Sequence, residues 1–389
     1  SVPADTAESM IENARVLGAG LVGDVGHGVG SSDGGPGNHA GLLGARDPVG
    51  RRVGVRIGTK RQRPFRWPRA IGCSTLWSDP HRRSRTTSGR TTLDLSLRSS
   101  RCRVTDPDGT GRWTPARIDV RDGTIVRVDE PGTGAPPDHT DRVVDLGDQL
   151  VVPAFVNAHT HLALQGLRGA KLDGRGNVVE DVFYRWESEL TAEDVRAFAR
   201  VAALECALHG VGTVFDHYYY ADAVAAALRD VGLAGVVAPT LQDLSGPGRG
   251  MAEAAFEVTE ALLADEWRSA GIVPAVGPHA TDTVSAELWG EALDLAEEHD
   301  LPLHAHVAQS AEEVRRALER HGRSPFGWLH HEGLLDSPVR QLLVHALYVD
   351  HDDLSRLDPT RHALGACPFS QMQFGFPAPI ERWHARGLP

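Results

Sequence analysis

The distribution of apolar and polar positions changes near residue 93. Residues 1–92 contain Gly-rich, Ser-rich and Arg-rich stretches without a sustained period of about 2 or 3.6 residues, although residues 6–17 predict one short helix. Such a composition buries too little apolar surface to order itself, so the pattern predicts a low-complexity, disordered or non-native leader. The alternative interpretation is a basic arm that binds an anionic partner.

Residues 93–150 alternate between apolar and polar positions, as β-strands do. The run 116–128 alternates on both sides of Asp122-Gly123, a dipeptide typical of tight hairpins. Residues 142–147 add one more short strand. This region predicts a small β unit that leads into a larger domain.

From residue 151 onward, apolar runs alternate with stretches of helical period. After an apolar run that ends near residue 159, the predicted strands are residues 213–217, 233–241, 271–277, 301–307, 341–347 and 362–366. The predicted helices are residues 191–208, 221–230, 250–269, 285–299 and 310–320, with Thr191 and Ser285 as N-caps and Gly210 and Gly232 at helix ends. This alternation predicts parallel strands with right-handed crossovers. Seven such units predict an eight-fold α/β barrel that is cut short.

Composition narrows the class of protein. In the 389 residues, hydrophobic content of 41% is typical of a globular protein, and no apolar run approaches the ~20 residues that cross a bilayer, so no membrane partner is expected. Residues 1–100 contain 15 Lys and Arg residues and 8 Asp and Glu residues, whereas residues 101–389 contain 25 Lys and Arg residues and 44 Asp and Glu residues. The acidic charge of the larger part argues against a nucleic-acid partner. The four cysteines are scattered, which predicts ordinary thiols in the cytoplasm: Cys73, Cys102, Cys206 and Cys367.

Histidines mark the ends of five predicted strands. These residues are His159 and His161, His217, His279, His304 and His306, and His345. Residues i and i+2 of a strand point to one face, so the pair His159 and His161 can present two imidazoles to one metal ion. Parallel sheets place their chemistry at the carboxyl ends of the strands, and a catalytic metal needs several converging ligands. Each histidine alone is equally compatible with a hydrogen bond to the backbone, but the whole set favours a metal site.

Five segments resemble motifs of the amidohydrolase superfamily. They are Asn157-Ala-His-Thr-His-Leu, Gly277-Pro-His-Ala, His304-Ala-His-Val, Val344-His-Ala and Cys367-Pro-Phe-Ser. The resemblance covers residues 93–389 and is to the branch of cytosine, guanine and S-adenosylhomocysteine deaminases and triazine chlorohydrolases. It implies a TIM-type (β/α)8 barrel over residues 151–389, a small β-sandwich to which residues 93–150 contribute, and one divalent metal ion, zinc first and iron second.

The resemblance also implies roles for individual residues. His159, His161, His306 and His345 would be metal ligands, with His304 the less favoured member of its pair. His345 would also act in catalysis, and His279 would face the substrate and take part in catalysis. The substrate-binding residues would be Gln165, Arg168, Trp186, Ser370 and Gln371, although Trp186 is equally compatible with core packing.

Two departures from the family pattern leave the reaction open. Gln309 stands where these deaminases have a glutamate that shuttles a proton, and an amide cannot do so. Glu312 could replace it, or could be an ordinary solvated helix residue. The expected aspartate of an eighth strand is not found before Pro389. We therefore expect a metal-dependent hydrolase of a carbon–nitrogen bond, an aminohydrolase of a small heterocycle or amidine that uses metal-activated water. The alternatives are a hydrolytic dehalogenase of the same family and a non-catalytic or truncated member that acts as a scaffold or binding protein. The expected partner is a small-molecule substrate, and homo-oligomerisation is left open.

Overall fold

The computed structural model describes residues 94–105, 111–121, 124–129, 142–169, 177–375 and 377–389, together with the short strands Gly20–Val22, Ala45–Arg46 and Arg52–Val53. The helix predicted at residues 6–17 and nearly all of the predicted leader lie outside these residues. The turn residues 122–123 of the predicted hairpin lie outside them as well.

The first part of the described chain is an open sheet. Its strands are β1 (Leu95–Thr105), β2 (Gly111–Arg121), β3 (Thr124–Asp129), β4 (Arg142–Asp145) and β5 (Leu150–Val152), and the short strand Gly20–Val22 joins it by pairing antiparallel with β5. β2 pairs antiparallel with β1 and with β3, and Arg121 lies opposite Thr124, which confirms the hairpin. β1 also pairs in parallel with β4 and β5. Alternating apolar side chains form a small core under this sheet, which includes Ile118 and Val151.

The rest of the described chain forms a curled parallel sheet of eight strands. They occupy seven positions, because two short consecutive strands pair with the same neighbour. Its strands are β6 (Phe155–Thr160), β7 (Val211–Tyr218), β8 (Ala234–Leu241), β9 (Ile272–Pro274), β10 (Gly277–Pro278), β11 (Leu303–Val307), β12 (Gln341–His345) and β13 (His362–Gly365). β6 to β9 pair in chain order, β10 pairs with β8, and β11 to β13 pair in chain order, all in parallel. Parallel bridges from Val276 to Leu303 and from Ala280 to His306 join the two halves. This is the TIM-type barrel architecture that the strand–helix alternation predicts.

Helices lie between successive strands, and the last two follow β13. They are α1 (Tyr184–Glu187), α2 (Ala192–Leu208), α3 (Ala221–Val231), α4 (Ala252–Ala261), α5 (Asp265–Ser269), α6 (Ala286–His299), α7 (Ala311–His321), α8 (Pro325–His331), α9 (His351–Ser355), α10 (Pro368–Phe374) and α11 (Ile380–Ala385), with a 3-10 helix at Leu162–Leu167 and a π-helix at Val179–Phe183. The hydroxyls of Thr191 and Ser285 accept the backbone N–H groups of Asp194 and Leu288, which confirms both N-caps. No helix in the described part of the chain is both long and apolar enough to cross a membrane.

Two predicted elements are each divided in the structure. The strand expected over residues 271–277 is the two short strands β9 and β10. The single helix expected over residues 250–269 is two helices, α4 and α5. The side chain of Leu262 turns into the core, where it is 2% exposed, and Ala264 takes an extended conformation. Asp265 and Glu266 then begin a new helix, because carboxylates in a first turn interact favourably with the helix dipole.

Two apolar clusters hold the barrel together and thereby position its strand ends. In the first cluster, α2 packs through Val195 and Ala199, one helical turn apart, against Val214 of β7. In the second, alternate residues of β11, among them Ala305, pack with Trp289 of α6. Because the strands are anchored by these buried side chains, the residues at their carboxyl ends are held on a rigid frame.

Candidate metal centre

Three of the predicted ligands converge at one end of the barrel. His159 lies in β6, His161 follows the same strand, and His306 lies in β11, four strand positions away in chain order. One ligand atom of each histidine lies within 4.8 Å of the others. The ring centroids of His161 and His306 are 5.2 Å apart, and those of His159 and His161 are 4.7 Å apart.

Backbone carbonyls determine which ring nitrogen of two of these histidines faces the centre. The Nδ1 atom of His161 donates to the carbonyl of His217, and Nδ1 of His306 donates to the carbonyl of His279 at 2.7 Å. A carbonyl can only accept, so both rings carry their proton on Nδ1 and have a lone pair on Nε2 when neutral. This arrangement is typical of metal-binding histidines, whose outer nitrogen is oriented by a hydrogen bond.

The two lone pairs face each other. Nε2 of His161 and Nε2 of His306 are 3.3 Å apart, and neither can donate to the other while both rings are neutral. With bonds of about 2.0–2.1 Å to a tetrahedral zinc ion, neighbouring nitrogens lie about 3.4 Å apart. The donor set and its spacing therefore fit a divalent cation.

Burial keeps the clustered imidazoles neutral. Desolvation, followed by the repulsion of neighbouring imidazolium charges, lowers the pKa of His279, His304 and His345 to about 3. The same causes lower the pKa values of His159 and His306 well below the ordinary value. Their lone pairs are therefore available to a cation at neutral pH rather than occupied by protons.

His304 and His217 contact the three converging histidines but are not in the set whose ligand atoms converge. Nε2 of His304 lies 2.8 Å from Nδ1 of His159, so the two rings share a hydrogen bond. His217 hydrogen-bonds through Nδ1 to the Thr240 hydroxyl at 3.0 Å, while its buried Nε2 has no partner among the described residues. The sequence pattern marked His217 only as a strand-end histidine and assigned it no role.

The neighbouring Asp216 is another residue that sequence reasoning missed. Its carboxylate is completely buried and accepts the backbone N–H of Leu162 at 2.6 Å, directly after His161. Burial raises the pKa of this carboxyl to about 7. Asp216 therefore holds the turn that aims His161 inward, and only its position at a strand end could have indicated this.

His345 and His279 lie next to the three converging histidines. The ring of His345 stacks on His306 with a centroid distance of 5.4 Å, and His345 is 7% exposed. His279 hydrogen-bonds to the Thr283 hydroxyl at 3.0 Å, and its ring lies 6.1 Å from that of Tyr184. Tyr184, which sequence reasoning did not single out, receives a hydrogen bond from Gln242 at 3.3 Å.

Three predicted substrate-binding residues are directed elsewhere. Gln165 and Arg168 donate to the carboxylate of Glu205 on α2, at 3.3 and 2.9 Å. The indole of Trp186 packs on Phe198 of the same helix, with centroids 5.6 Å apart. The helix α2 offers Gln165 and Arg168 a carboxylate and offers Trp186 an aromatic ring. These three side chains therefore contact α2 and not the histidines.

The residues after β13 divide into one exposed and one buried side chain. Ser370 is exposed. Gln371 is 4% exposed, accepts the backbone N–H of Ala378 through its amide oxygen, and has a buried Nε2 with no partner in the part of the chain that is described. Gln371 is therefore the member of this pair with an amide group left to bind a ligand.

Behind β11, the buried carboxylate is Glu313 and not Glu312. Glu312 is exposed, whereas Glu313 is 3% exposed and accepts the backbone N–H groups of Ala308 at 2.9 Å and Gln309 at 2.7 Å. It also accepts the Thr281 hydroxyl at 2.6 Å. Burial, with the nearby charge of Asp282, raises the pKa of Glu313 to about 7. Ser310 followed three residues later by Glu is a helix-start pattern that could have indicated this residue.

The chain is similar in sequence to one protein family and to relatives with known names. The model of the Amidohydrolase family matches residues 150–375. A 5-methylthioadenosine/S-adenosylhomocysteine deaminase of Haloarcula marismortui is 31% identical over 275 residues, which cover 69% of this chain and 62% of the relative. A 5'-deoxyadenosine deaminase of Methanothrix thermoacetophila is 31% identical over 249 residues, which cover 64% of this chain and 58% of the relative. The chain thus spans about three fifths of the length of these relatives.

Solved structures share the fold. An adenosine deaminase of Xanthomonas campestris with bound zinc has a TM-score of 0.62 at 23% identity, covering 76% of this chain and 67% of that one. An atrazine chlorohydrolase of Arthrobacter aurescens TC1 complexed with zinc has a TM-score of 0.63 at 20% identity, covering 76% and 70%. The family model thus matches more than half of the chain, and the matched residues contain the barrel strands described above. The chain belongs to the amidohydrolase family.

Proposed function

We propose that the protein is a metal-dependent hydrolase of a carbon–nitrogen bond, an aminohydrolase that releases ammonia from a small heterocycle or amidine. The observation that carries this proposal is the pair of facing Nε2 atoms of His161 and His306, 3.3 Å apart, with His159 beside them. The names of the relatives support 6-aminopurine nucleosides as the first substrates to test.

In this proposal His159, His161 and His306 hold one divalent cation, zinc first and iron second, since imidazole accepts both. The cation supplies water activation, because it lowers the pKa of a water molecule toward about 7 and makes hydroxide available at neutral pH. The carbonyls of His217 and His279 keep the rings of His161 and His306 in the tautomer that offers a lone pair on Nε2, and His304 orients the ring of His159 by a hydrogen bond to its Nδ1.

The remaining residues would bind the substrate and stabilise charge. A neutral His345 can donate one N–H to an oxygen that becomes negative during hydrolysis, and its depressed pKa keeps the ring neutral at working pH. The His279 side chain and the Tyr184 hydroxyl offer polar contacts to a heterocycle. Gln371 has an amide N–H group for the same purpose.

Gln309 favours a second candidate, hydrolytic dehalogenation. Release of ammonia requires a proton on the leaving nitrogen, and the Gln309 amide cannot shuttle that proton. Chloride leaves without protonation, so a chlorinated heterocycle avoids this requirement. Ammonia release from an amino heterocycle, compared with chloride release from its chloro analogue, separates the two candidates.

The test uses the full-length protein, reconstituted with zinc and freed of excess metal. We expect about one equivalent of bound zinc, measured by atomic emission, and ammonia release from 5'-methylthioadenosine or a related nucleoside. His161→Ala should weaken zinc binding at least about tenfold and abolish turnover, because a converging donor is lost. The matched control is His209→Ala, which removes an exposed histidine at the end of α2.

Two results would contradict the proposal: wild-type protein that binds no stoichiometric metal, or turnover that survives His161→Ala. Metal-loaded protein that releases neither ammonia nor chloride would favour the scaffold hypothesis. The cytoplasmic location, the absence of nucleic-acid and membrane partners, and the oligomeric state stay predictions.

A further inference from the structure

A second set of metal-binding side chains lies beside the three converging histidines. His159, His345 and Cys367 each offer one ligand atom, and these atoms lie within 4.8 Å of one another. The three residues come from the ends of β6, β12 and β13. His159 belongs to both sets, so the two sets meet at one imidazole. Cysteines scattered in sequence gave no sign of this arrangement.

Of the two donors that are new in this set, Cys367 has no other role among the described residues, whereas His345 is also the residue proposed to stabilise a negative oxygen during hydrolysis. Cys367 is a half-buried, free thiol that directly precedes α10. No hydrogen bond to a ring nitrogen of His345 or to the thiol of Cys367 is found among the described residues. His345 and Ala346 have φ angles of 82° and 42°, in the left-handed region that non-glycine residues rarely adopt. Such strain persists where the surrounding structure holds a side chain in a required direction.

The spacing and the chemistry of the set agree. Tetrahedral bonds of about 2.1 Å to nitrogen and about 2.3 Å to sulfur separate the donors by about 3.3–3.8 Å, which small side-chain rotations reach from the observed arrangement. A thiolate with two imidazoles selects thiophilic cations such as zinc, cadmium and cobalt over magnesium or calcium. The set of His159, His345 and Cys367 therefore prefers thiophilic cations more strongly than the set of three histidines does.

We propose that His159, His345 and Cys367 form an alternative site for a thiophilic divalent cation, which competes with His161 and His306 for the shared ligand His159. The inference rests on the proposed function of the first set. A cation in the alternative site removes His159 from that set and occupies His345. Excess zinc or cadmium therefore inhibits the enzyme, whereas excess magnesium does not.

The test is a titration of the metal-free, full-length protein with Co²⁺, followed by absorption spectroscopy. Cobalt in either site gives visible d–d bands, but only a cobalt–thiolate bond gives a near-ultraviolet charge-transfer band. We expect that band in the wild type and its loss in Cys367→Ser and Cys367→Ala, with the visible bands retained. The matched control is Cys206→Ser, which removes a half-buried free thiol on α2 and should leave the charge-transfer band unchanged.

Inhibition supplies an independent readout. The concentration of Cd²⁺ that halves turnover should be at least about tenfold higher in Cys367→Ser than in Cys206→Ser. Visible bands without a charge-transfer band in the wild type would overturn the alternative site and leave the histidine site intact. A charge-transfer band that survives both Cys367 substitutions would also overturn it. Protein that shows neither kind of band would refute the metal centre itself.

Discussion

Glu313→Gln probes how the end of β11 is held in place. The wild-type carboxyl accepts three hydrogen bonds, from the backbone of Ala308 and Gln309 and from the Thr281 hydroxyl. Two of these bonds stabilise the segment directly after His306, where Ala308 has a left-handed φ of 54°. Glutamine has the same shape but only one acceptor oxygen, so its amide N–H₂ must face one of the backbone N–H groups.

The magnitude of the effect depends on pH. Loss of one buried hydrogen bond, with a donor left unsatisfied, costs on the order of 1–3 kcal/mol. The pKa of Glu313 is raised from 4.5 in the unfolded chain to about 7 in the folded protein. Between pH 4.5 and pH 7 the carboxyl is therefore protonated in the folded state and ionised in the unfolded state. The wild type therefore loses stability as pH rises from 4.5 to 7, at up to about 1.4 kcal/mol per pH unit. The variant lacks this group, so its disadvantage is largest near pH 5 and shrinks by on the order of 2–3 kcal/mol by pH 7.5.

The assay is urea unfolding of the metal-free protein at pH 5, 6 and 7.5, with the free energy of unfolding compared between variant and wild type at each pH. Contributions of other titrating groups cancel in this difference. Glu312→Gln is the matched control, because Glu312 is exposed, and it should change stability by less than about 0.5 kcal/mol. A Glu313→Gln deficit that is the same at all three pH values would refute the buried, protonated carboxyl.

Two further predictions concern a glycine and the histidine cluster. Gly277→Ala should destabilise the protein by on the order of 1–3 kcal/mol in urea unfolding, because the added Cβ would meet the Pro239 carbonyl oxygen at 2.5 Å. Gly290→Ala is its control, because this residue lies inside α6 and no atom lies within 4 Å of the added Cβ. The alanine should stabilise the helix by up to about 1 kcal/mol. Equal effects of the two substitutions on stability would contradict the reasoning. In the metal-free protein, His279, His304 and His345 should contribute stability that is lost on acidification below about pH 6.5, because the unfolded chain binds protons that these buried rings, with pKa values of about 3, do not bind when folded. The buried carboxyls of Asp216 and Glu313 act in the opposite direction, so the histidine contribution is measured as the difference in unfolding free energy between the wild type and His304→Gln at pH 7.5 and 5.5. A difference that is the same at both pH values would disprove it.

Local pattern was sufficient for most of the elements and for the strand ends that carry histidines. Thr191 and Ser285 were recognisable as N-caps because the capping hydrogen bond spans only three residues. His159 and His161 could be placed on one face because the period of a strand is a local property. The break between α4 and α5 was missed because it depends on Leu262, whose burial is decided by the rest of the core.

Residues whose partners lie far away in sequence were harder to assign. Gln165 and Arg168 follow His161 closely, yet their side chains hydrogen-bond to Glu205, about forty residues later. Glu312 and Glu313 are adjacent and chemically identical, and only the packing of α7 against the barrel decides which carboxylate is buried.

Periodicity and short motifs were enough to predict the alternation of strands and helices, the strand-end positions of the histidines and the family to which they point. Only the tertiary structure decided which nitrogens face one another, that His304 supports His159, and that Cys367 lies beside His159 and His345. The physical reason is that ligand geometry depends on distances between strands far apart in the chain. Those distances are set by the packing of the whole barrel and not by any local segment.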